Sequence, residues 1–166
     1  MLNAMKQEFA KCGSGCKYTI VNVPIPDWAT KIQTEVQSAL VSNPGINYVI
    51  PFVDGMTSYA VAGITAAGKT GKVKVSTFNG TPFALKLIQD GNTVAMDAGE
   101  NLDWLGWADM DQALRILVGA KPVQSEHTPL RIFDKSNVAQ TGKPPQDSTG
   151  YGNAYVAAYK KLWGLK

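Results

Sequence analysis

Val73-Lys-Val-Ser-Thr-Phe-Asn-Gly-Thr-Pro82 decides the fold: a short β-forming run stops at an Asn-Gly turn and restarts as a helix. Thr81 suits the N-cap of that helix, Pro82 its first position and Gly91 its C-terminal stop. In open α/β sheets ligands bind beyond the carboxyl ends of the strands, so Phe78 and Asn79 are aimed at a cleft. The same unit recurs on both sides. Upstream, Tyr18 to Val23 reads as a β run ended by Pro24-Ile25-Pro26, and Asp27 caps a helix with Trp28, Ile32, Val36, Ala39 and Leu40 on one face. Asn43-Pro44-Gly45 stops that helix, and the apolar run Ile46 to Phe52 reads as a strand buried on both faces. Asp54 follows, then a small-residue helix to about Ala67. Downstream, the helix from Pro82 to Asp90 leads to a short β run, Thr93 to Met96, ending near Asp97-Ala98-Gly99-Glu100. A further helix carries Gly106, Met110, Ala113, Leu114 and Leu117 on one face. Strand-helix alternation predicts an α/β three-layer sandwich, a mostly parallel sheet with helices on both faces and with Asp54, Asn79 and Glu100 on one edge.

Beyond Gly119 the alternation breaks. Thr128 to Phe133 is one more β run, residues 143–150 are loop, and a last helix places Tyr151, Tyr155, Ala158, Tyr159 and Leu162 on one side. So aromatic a stripe needs something to pack against, which predicts contact with another copy or with a part of the protein outside this chain. Residues 1–138 therefore read as one α/β lobe, with 139–166 a loop and an aromatic helix appended to it. The first helix, Leu2 to Ala10, has no capping residue before it, and the chain reads as cut there.

With 45% hydrophobic residues, 166 residues bury one core. The net charge of +3 comes from 16 basic and 13 acidic side chains scattered along the chain, so no stripe marks a nucleic-acid partner. No apolar run has the length of a membrane span, and the first ten residues resemble neither a signal nor a transit peptide. Cys12 and Cys16, flanking Gly-Ser-Gly, form either a small disulfide loop, which would indicate an oxidising compartment, or two unpaired thiols in a turn. His127 is the only histidine, too far from the cysteines to complete a zinc site, so no metal is expected. Gly63-Ile-Thr-Ala-Ala-Gly68-Lys69-Thr70 matches the P-loop pattern, but it closes a helix and leads into a strand, the reverse of what a phosphate cradle requires. Asn79-Gly-Thr81 is formally a glycosylation sequon, yet its place at a strand end favours a turn or ligand contact. No nucleophile with a partnered base and no Gly-x-Gly-x-x-Gly fingerprint is present, so neither catalysis nor a cofactor is expected.

Four strand ends remain: Asp27-Trp28, Val53-Asp54, Phe78-Asn79 and Glu100-Asn101. Singly, each has a structural explanation as cap, turn former or core residue. Brought to one edge, carboxylates, amides and aromatic rings suit a sugar, whose hydroxyls need donors and acceptors while its C–H faces stack on rings. Here the sequence resembles the type I periplasmic sugar-binding proteins of the ribose-binding kind, which feed ABC importers. The resemblance rests on Pro26-Asp27-Trp28, Asn43-Pro44-Gly45, Asp54-Gly-Met56, Thr77-Phe-Asn-Gly-Thr-Pro82, and Ala98-Gly-Glu-Asn101 with Leu105-Gly-Trp107. It covers Leu2 to about Val138 and matches the carboxy-terminal lobe of a two-lobed protein. It implies a ligand-binding set of Trp28, Asp54, Phe78, Asn79 and Glu100, with Asn79 standing for a sugar-binding Asp and Glu100 for a Gln. Val53 stands where ribose binders carry a polar Asn, so the resemblance implies a sugar or polyol rather than ribose itself. It further implies an amino-terminal lobe outside this chain, an ABC permease as partner and a periplasmic location. Lactose-repressor type regulators use the same lobe as an effector domain, and a bonded Cys12-Cys16 pair would favour the exported protein over that alternative.

Overall fold

The stretch from Lys74 to Asn79 is a central strand of the sheet in the computed structural model, which describes residues 1–91 and 93–166. In chain order the elements are α1 (Leu2–Lys11), α2 (Trp28–Ser42), β1 (Tyr48–Val49), α3 (Thr57–Ala66), β2 (Lys74–Asn79), α4 (Pro82–Gln89), β3 (Val94–Glu100), α5 (Leu102–Leu117), β4 (Leu130–Asp134) and α6 (Ala154–Leu162). Four strands lie in the order β1-β2-β3-β4, the first three parallel and β4 antiparallel to β3. This is the α/β class that the alternation predicts, a mostly parallel sheet layered with helices.

The local devices read from the sequence operate as written. Thr81 caps α4 by accepting a hydrogen bond from the Ala84 amide, Pro82 is its first residue, and Gly91 closes it in the left-handed region at φ +70°. Gly68, at φ +65°, ends α3 and is followed by β2, so the P-loop look-alike is a helix terminus. Gly63 lets α2 and α3 touch: a Cβ there would lie 2.7 Å from the Gln33 carbonyl and from Val36. Leu40 of α2 and Ile64 of α3 join Val73, Val75, Leu85, Ile88, Val94, Phe133 and Val138 in one continuous core between sheet and helices.

Six expectations are corrected. Tyr18 to Val23 forms no strand, and Tyr18 to Asn22 lie exposed, because no neighbouring strand supplies the half-buried surface on which β propensity depends. The strand expected over Ile46 to Phe52 shrinks to β1: it is a sheet edge with Tyr48 49% exposed, and Pro51, which has no amide hydrogen, lies two residues past its end. Conversely, β3 runs on through Asp97-Ala98-Gly99 to Glu100, because β4 pairs with Met96 to Glu100. In α5 the expected stripe is the wrong side: Met110 and Leu117 are exposed, and Trp104, Trp107, Ala108 and Asp111 turn inward. Finally, α6 finds its cover within the chain, Tyr155 and Tyr159 being buried on α5, while Leu162 and Ala158 of the expected stripe face out. Trp104 and Tyr155 stack at 4.8 Å between ring centroids, and Trp107 stacks on Trp163 at 5.2 Å. Asp27 also departs from expectation: it makes no cap bond, and its carboxylate accepts from Lys31 Nζ at 2.8 Å.

Cys12 and Cys16 are joined in a disulfide, so of the two readings left open the bonded one holds. No helix among the described residues is long and apolar enough to cross a membrane.

Candidate functional site

Asp54 follows β1, Asn79 ends β2 and Glu100 ends β3, which brings all three to the carboxyl edge of the parallel strands. The β2–β3 register sets Asn79 opposite Gly99, one residue before Glu100. Asn79 Nδ2 donates to Glu100 Oε1 at 2.7 Å, and both side chains are half-buried. Each keeps polar atoms beyond that one bond: the amide has a second N–H and its oxygen, and the carboxylate has another oxygen. Asn79 holds φ at +130° and Gly80 at +74°, so the chain leaves β2 through a turn that ordinary side chains resist. Such backbone persists only where its surroundings fix it.

Two buried carboxyl groups do the fixing. Asp54, 3% exposed, accepts from Thr77 Oγ1, from the Thr81 amide and from Thr81 Oγ1, each at 2.8 Å. Asp97, fully buried, accepts the Gly80 amide at 3.1 and 3.2 Å on its two oxygens. Burial raises the Asp97 carboxyl to about 8, and the neighbouring Asp54 charge pushes the same way against the Gly80 amide. Asp54 is thus occupied as a strut beneath the turn rather than lying free at the surface.

The aromatic residues divide. Trp28 is half-buried, donates Nε1 to the Val23 carbonyl at 3.1 Å, and packs over Gly55, where a Cβ would lie 3.5 Å from its ring. It therefore stands beside the end of β1. Phe78 lies on the sheet face opposite Thr77, next to Ala98, and makes no ring contact among the described residues. An open depression of about 320 Å³ is lined by Asp54, Gly55, Ser58, Thr81 and Phe83.

Phe83, Asp97 and Tyr151 are absent from the site expected from the sequence, and Tyr151, expected on the last helix, lies before α6 begins at Ala154. Phe83 is 49% exposed on the first turn of α4, and only its place just after the Asn-Gly-Thr-Pro turn signals it. Tyr151 comes in from before α6, stands edge-on to Phe133 at 5.3 Å, and lays its hydroxyl over the glycine pair: a Cβ on Gly99 would sit 2.2 Å from it and one on Gly80 2.9 Å. That hydroxyl is buried and has no hydrogen-bond partner among the described residues. Burial, with the charges of Asp97 and Glu100, raises it well above the ordinary tyrosine range. Asn101 caps α5 by accepting from the Trp104 amide at 2.9 Å, as its position after the strand predicts. No group of three residues able to hold a metal ion occurs among the described residues.

This arrangement has relatives. No curated protein sequence matches the chain significantly. Among solved structures, it is similar to the Caulobacter myo-inositol binding protein at 21% identity and TM-score 0.72, over 86% of this chain and 49% of that one. An ABC transporter solute binding protein from Bacillus halodurans is 19% identical with TM-score 0.71, over 87% of this chain and 49% of its own. One from Agrobacterium vitis is 20% identical with TM-score 0.69, covering 82% and 45%. The chain thus spans less than half the length of each of these structures, and at such identities the likeness establishes the fold. A family model described as the periplasmic binding protein domain matches residues 1–121, most of the chain and every strand-end residue discussed above: the chain belongs to the periplasmic binding protein domain family.

Proposed function

We infer that the chain forms one lobe of the ligand cleft of a sugar- or polyol-binding protein serving an ABC-type importer. The observation that carries this reading is the Asn79–Glu100 pair: an amide and a carboxylate held 2.7 Å apart at adjacent strand ends on the edge where α/β sheets receive ligands. A vicinal diol is matched by such a pair, since one hydroxyl can donate to the carboxylate while its neighbour accepts from the amide. Trp28 and Phe83 flank the edge and supply apolar surface for the C–H side of a ring, and Phe78 lies one residue before Asn79. The ligands of the similar structures agree in kind: myo-inositol in the Caulobacter and Bacillus halodurans proteins, α-D-tagatopyranose in that from Agrobacterium vitis.

The site carries no nucleophile-base pair, and its role is binding rather than catalysis. The Cys12–Cys16 disulfide supports an exported, periplasmic protein over a cytoplasmic regulator of the lactose-repressor type. The opposite wall of the cleft would come from an amino-terminal lobe, and the permease would take the loaded protein. The outer side of α6 at Leu162, with Leu165 just past the helix, is exposed and suits a contact with that lobe or with a second copy.

Calorimetry on the two-lobed protein with a panel of polyols and monosaccharides tests the reading. Glu100→Ala and Asn79→Ala are each expected to weaken the best ligand by at least tenfold, about 1.4 kcal/mol. If neither variant changes the affinity, the cleft lies elsewhere on the lobe.

A further inference from the structure

We propose that Asp54 and Asp97 share a single proton and together clamp the Asn79-Gly80-Thr81 turn, positioning Asn79 for the ligand. The geometry brings the two carboxyl groups together by two routes. They accept the amides of adjacent residues, Asp97 that of Gly80 and Asp54 that of Thr81. Thr77, which donates to Asp54, is the register partner of Asp97 across β2 and β3. Both groups are shut away from water, at 3% and 0% exposure. No lysine, arginine or histidine pairs with either among the described residues. Two carboxylates so placed cannot both stay ionised, and one proton between them resolves the conflict.

Donor supply decides where that proton sits. Asp54 receives three donors, two hydroxyls and an amide, and Thr57 Oγ1 donates in turn to Thr77 at 2.9 Å, so the row of hydroxyls points toward Asp54. Asp97 receives the single Gly80 N–H, shared between its oxygens, with the Asn79 amide also near. Asp97 therefore carries the proton and donates it to the Asp54 carboxylate. The other groups facing Asp97 add no compensating charge: Phe133 from β4 is apolar, the Tyr151 hydroxyl is neutral, and Glu100 at the end of β3 is acidic. Arg131 of β4 is engaged by the Gly150 carbonyl and Gln140. Removing the proton sets two negative charges against each other directly beneath the strained turn. The Gly80 and Thr81 amides then lose their common anchor, and Asn79 loses the backbone conformation that directs its amide at Glu100.

The effect on ligand affinity rests on the proposed binding function, whereas the proton pair does not, and one experiment separates them. Carboxyl carbon and amide resonances of the chain are followed from pH 5 to 10, beside the thermal midpoint, in wild type and in Asp97→Asn, whose amide keeps a donor toward Asp54. The expected result is a wild-type Asp97 carboxyl that titrates near pH 8. The Gly80 and Thr81 amides and the Asn79 side chain should move in the same step, and the midpoint should fall as the pH rises from 5 toward that step and level off above it. Asp97→Asn is expected to abolish that step. In the two-lobed protein, myo-inositol affinity should fall about tenfold for each pK unit by which the loaded site holds the proton more tightly, and should stay level in the variant. An Asp97 carboxyl that titrates wholly below pH 5 overturns the proposal. So does a step near pH 8 that leaves the Gly80, Thr81 and Asn79 resonances unmoved. Should Asp97→Asn fail to fold, the wild-type titration alone decides. The step near pH 8 in a protein that takes up no polyol at any pH supports the clamp and overturns the binding function.

Discussion

Gly99 faces two rings at once, and a methyl group there has nowhere to go. Its Cβ would lie 2.2 Å from the Tyr151 hydroxyl and 2.9 Å from Phe133. Gly99→Ala should therefore destabilise the chain by about 1–3 kcal/mol, the usual range for overpacking, measurable by chemical denaturation. Tyr151→Phe makes the opposite case. The hydroxyl is buried without a partner, so deleting it removes an uncompensated polar group and should leave stability unchanged or raise it by about 1 kcal/mol. In the double variant the Gly99→Ala penalty should shrink, since the closest clash is with the oxygen that Tyr151→Phe removes; full additivity would show that the two residues do not press on each other. At this scale the sequence is legible where chemistry is local. Thr81, Pro82, Gly91, Gly68 and Asn101 each act through neighbours within a few positions, and each does what its type predicts. Asp97 and Tyr151 were illegible because their partners, Asp54 and Gly99, lie far away in the chain. An aspartate inside a strand is moreover disfavoured until a second carboxyl accounts for it.

Helices α5 and α6 show why a period can be right and a face wrong. Small and aliphatic residues do recur along α5 at helical spacing, but the inward side is chosen by Trp104 and Trp107, which together bury more area than Met110 and Leu117 and stack on Tyr155 and Trp163. One ion completes the joint. Asp111, 3% exposed, accepts from Trp163 Nε1 at 2.8 Å and from Arg115 Nε. Burial opposes its charge, yet the Trp163 and Arg115 bonds prevail and hold its carboxyl below the ordinary value of 3.8. A folded value below the unfolded one means stability that is fully present above pH 3.8 and drains away as the pH falls through the folded value. Tryptophan fluorescence, dominated by this cluster, should thus report the release of α6 in acid. Asp111→Asn should be less stable at pH 7 and should lose the part of the acid dependence that wild type shows; identical acid profiles would show that the Asp111 bonds do not hold the helix. The Tyr18 to Val23 stretch teaches the complementary lesson: its composition is that of a strand, but a strand needs a neighbour, and pairing is not written into the segment itself.

The whole molecule is one wall of a cleft on the reading proposed here, and affinity follows from that geometry. The matched structures are about 1.8 times the length of this chain, whose matched part covers 49% of the Caulobacter protein and 45% of the Agrobacterium one. A ligand held between two lobes exchanges hydrogen bonds with both, whereas on the proposed reading this lobe alone would offer Asn79 and Glu100 for polar contacts and Trp28 and Phe83 for apolar ones, on a face open to water. Each net hydrogen bond contributes about 0.5–1.5 kcal/mol. Forgoing roughly four from an opposing lobe removes a few kcal/mol, or at least about a hundredfold in affinity. Water at the open face competes for the remaining bonds and weakens them further, because a charge-assisted bond to Glu100 gains its strength from a desolvated surrounding. Calorimetry should accordingly find that this chain alone binds its best polyol at least a hundredfold more weakly than the two-lobed protein. The Glu100→Ala effect should also be larger in the two-lobed form, where the carboxylate is shielded. Equal affinities in the two forms would place every important contact on this lobe and leave the opposite wall only the task of closing over it.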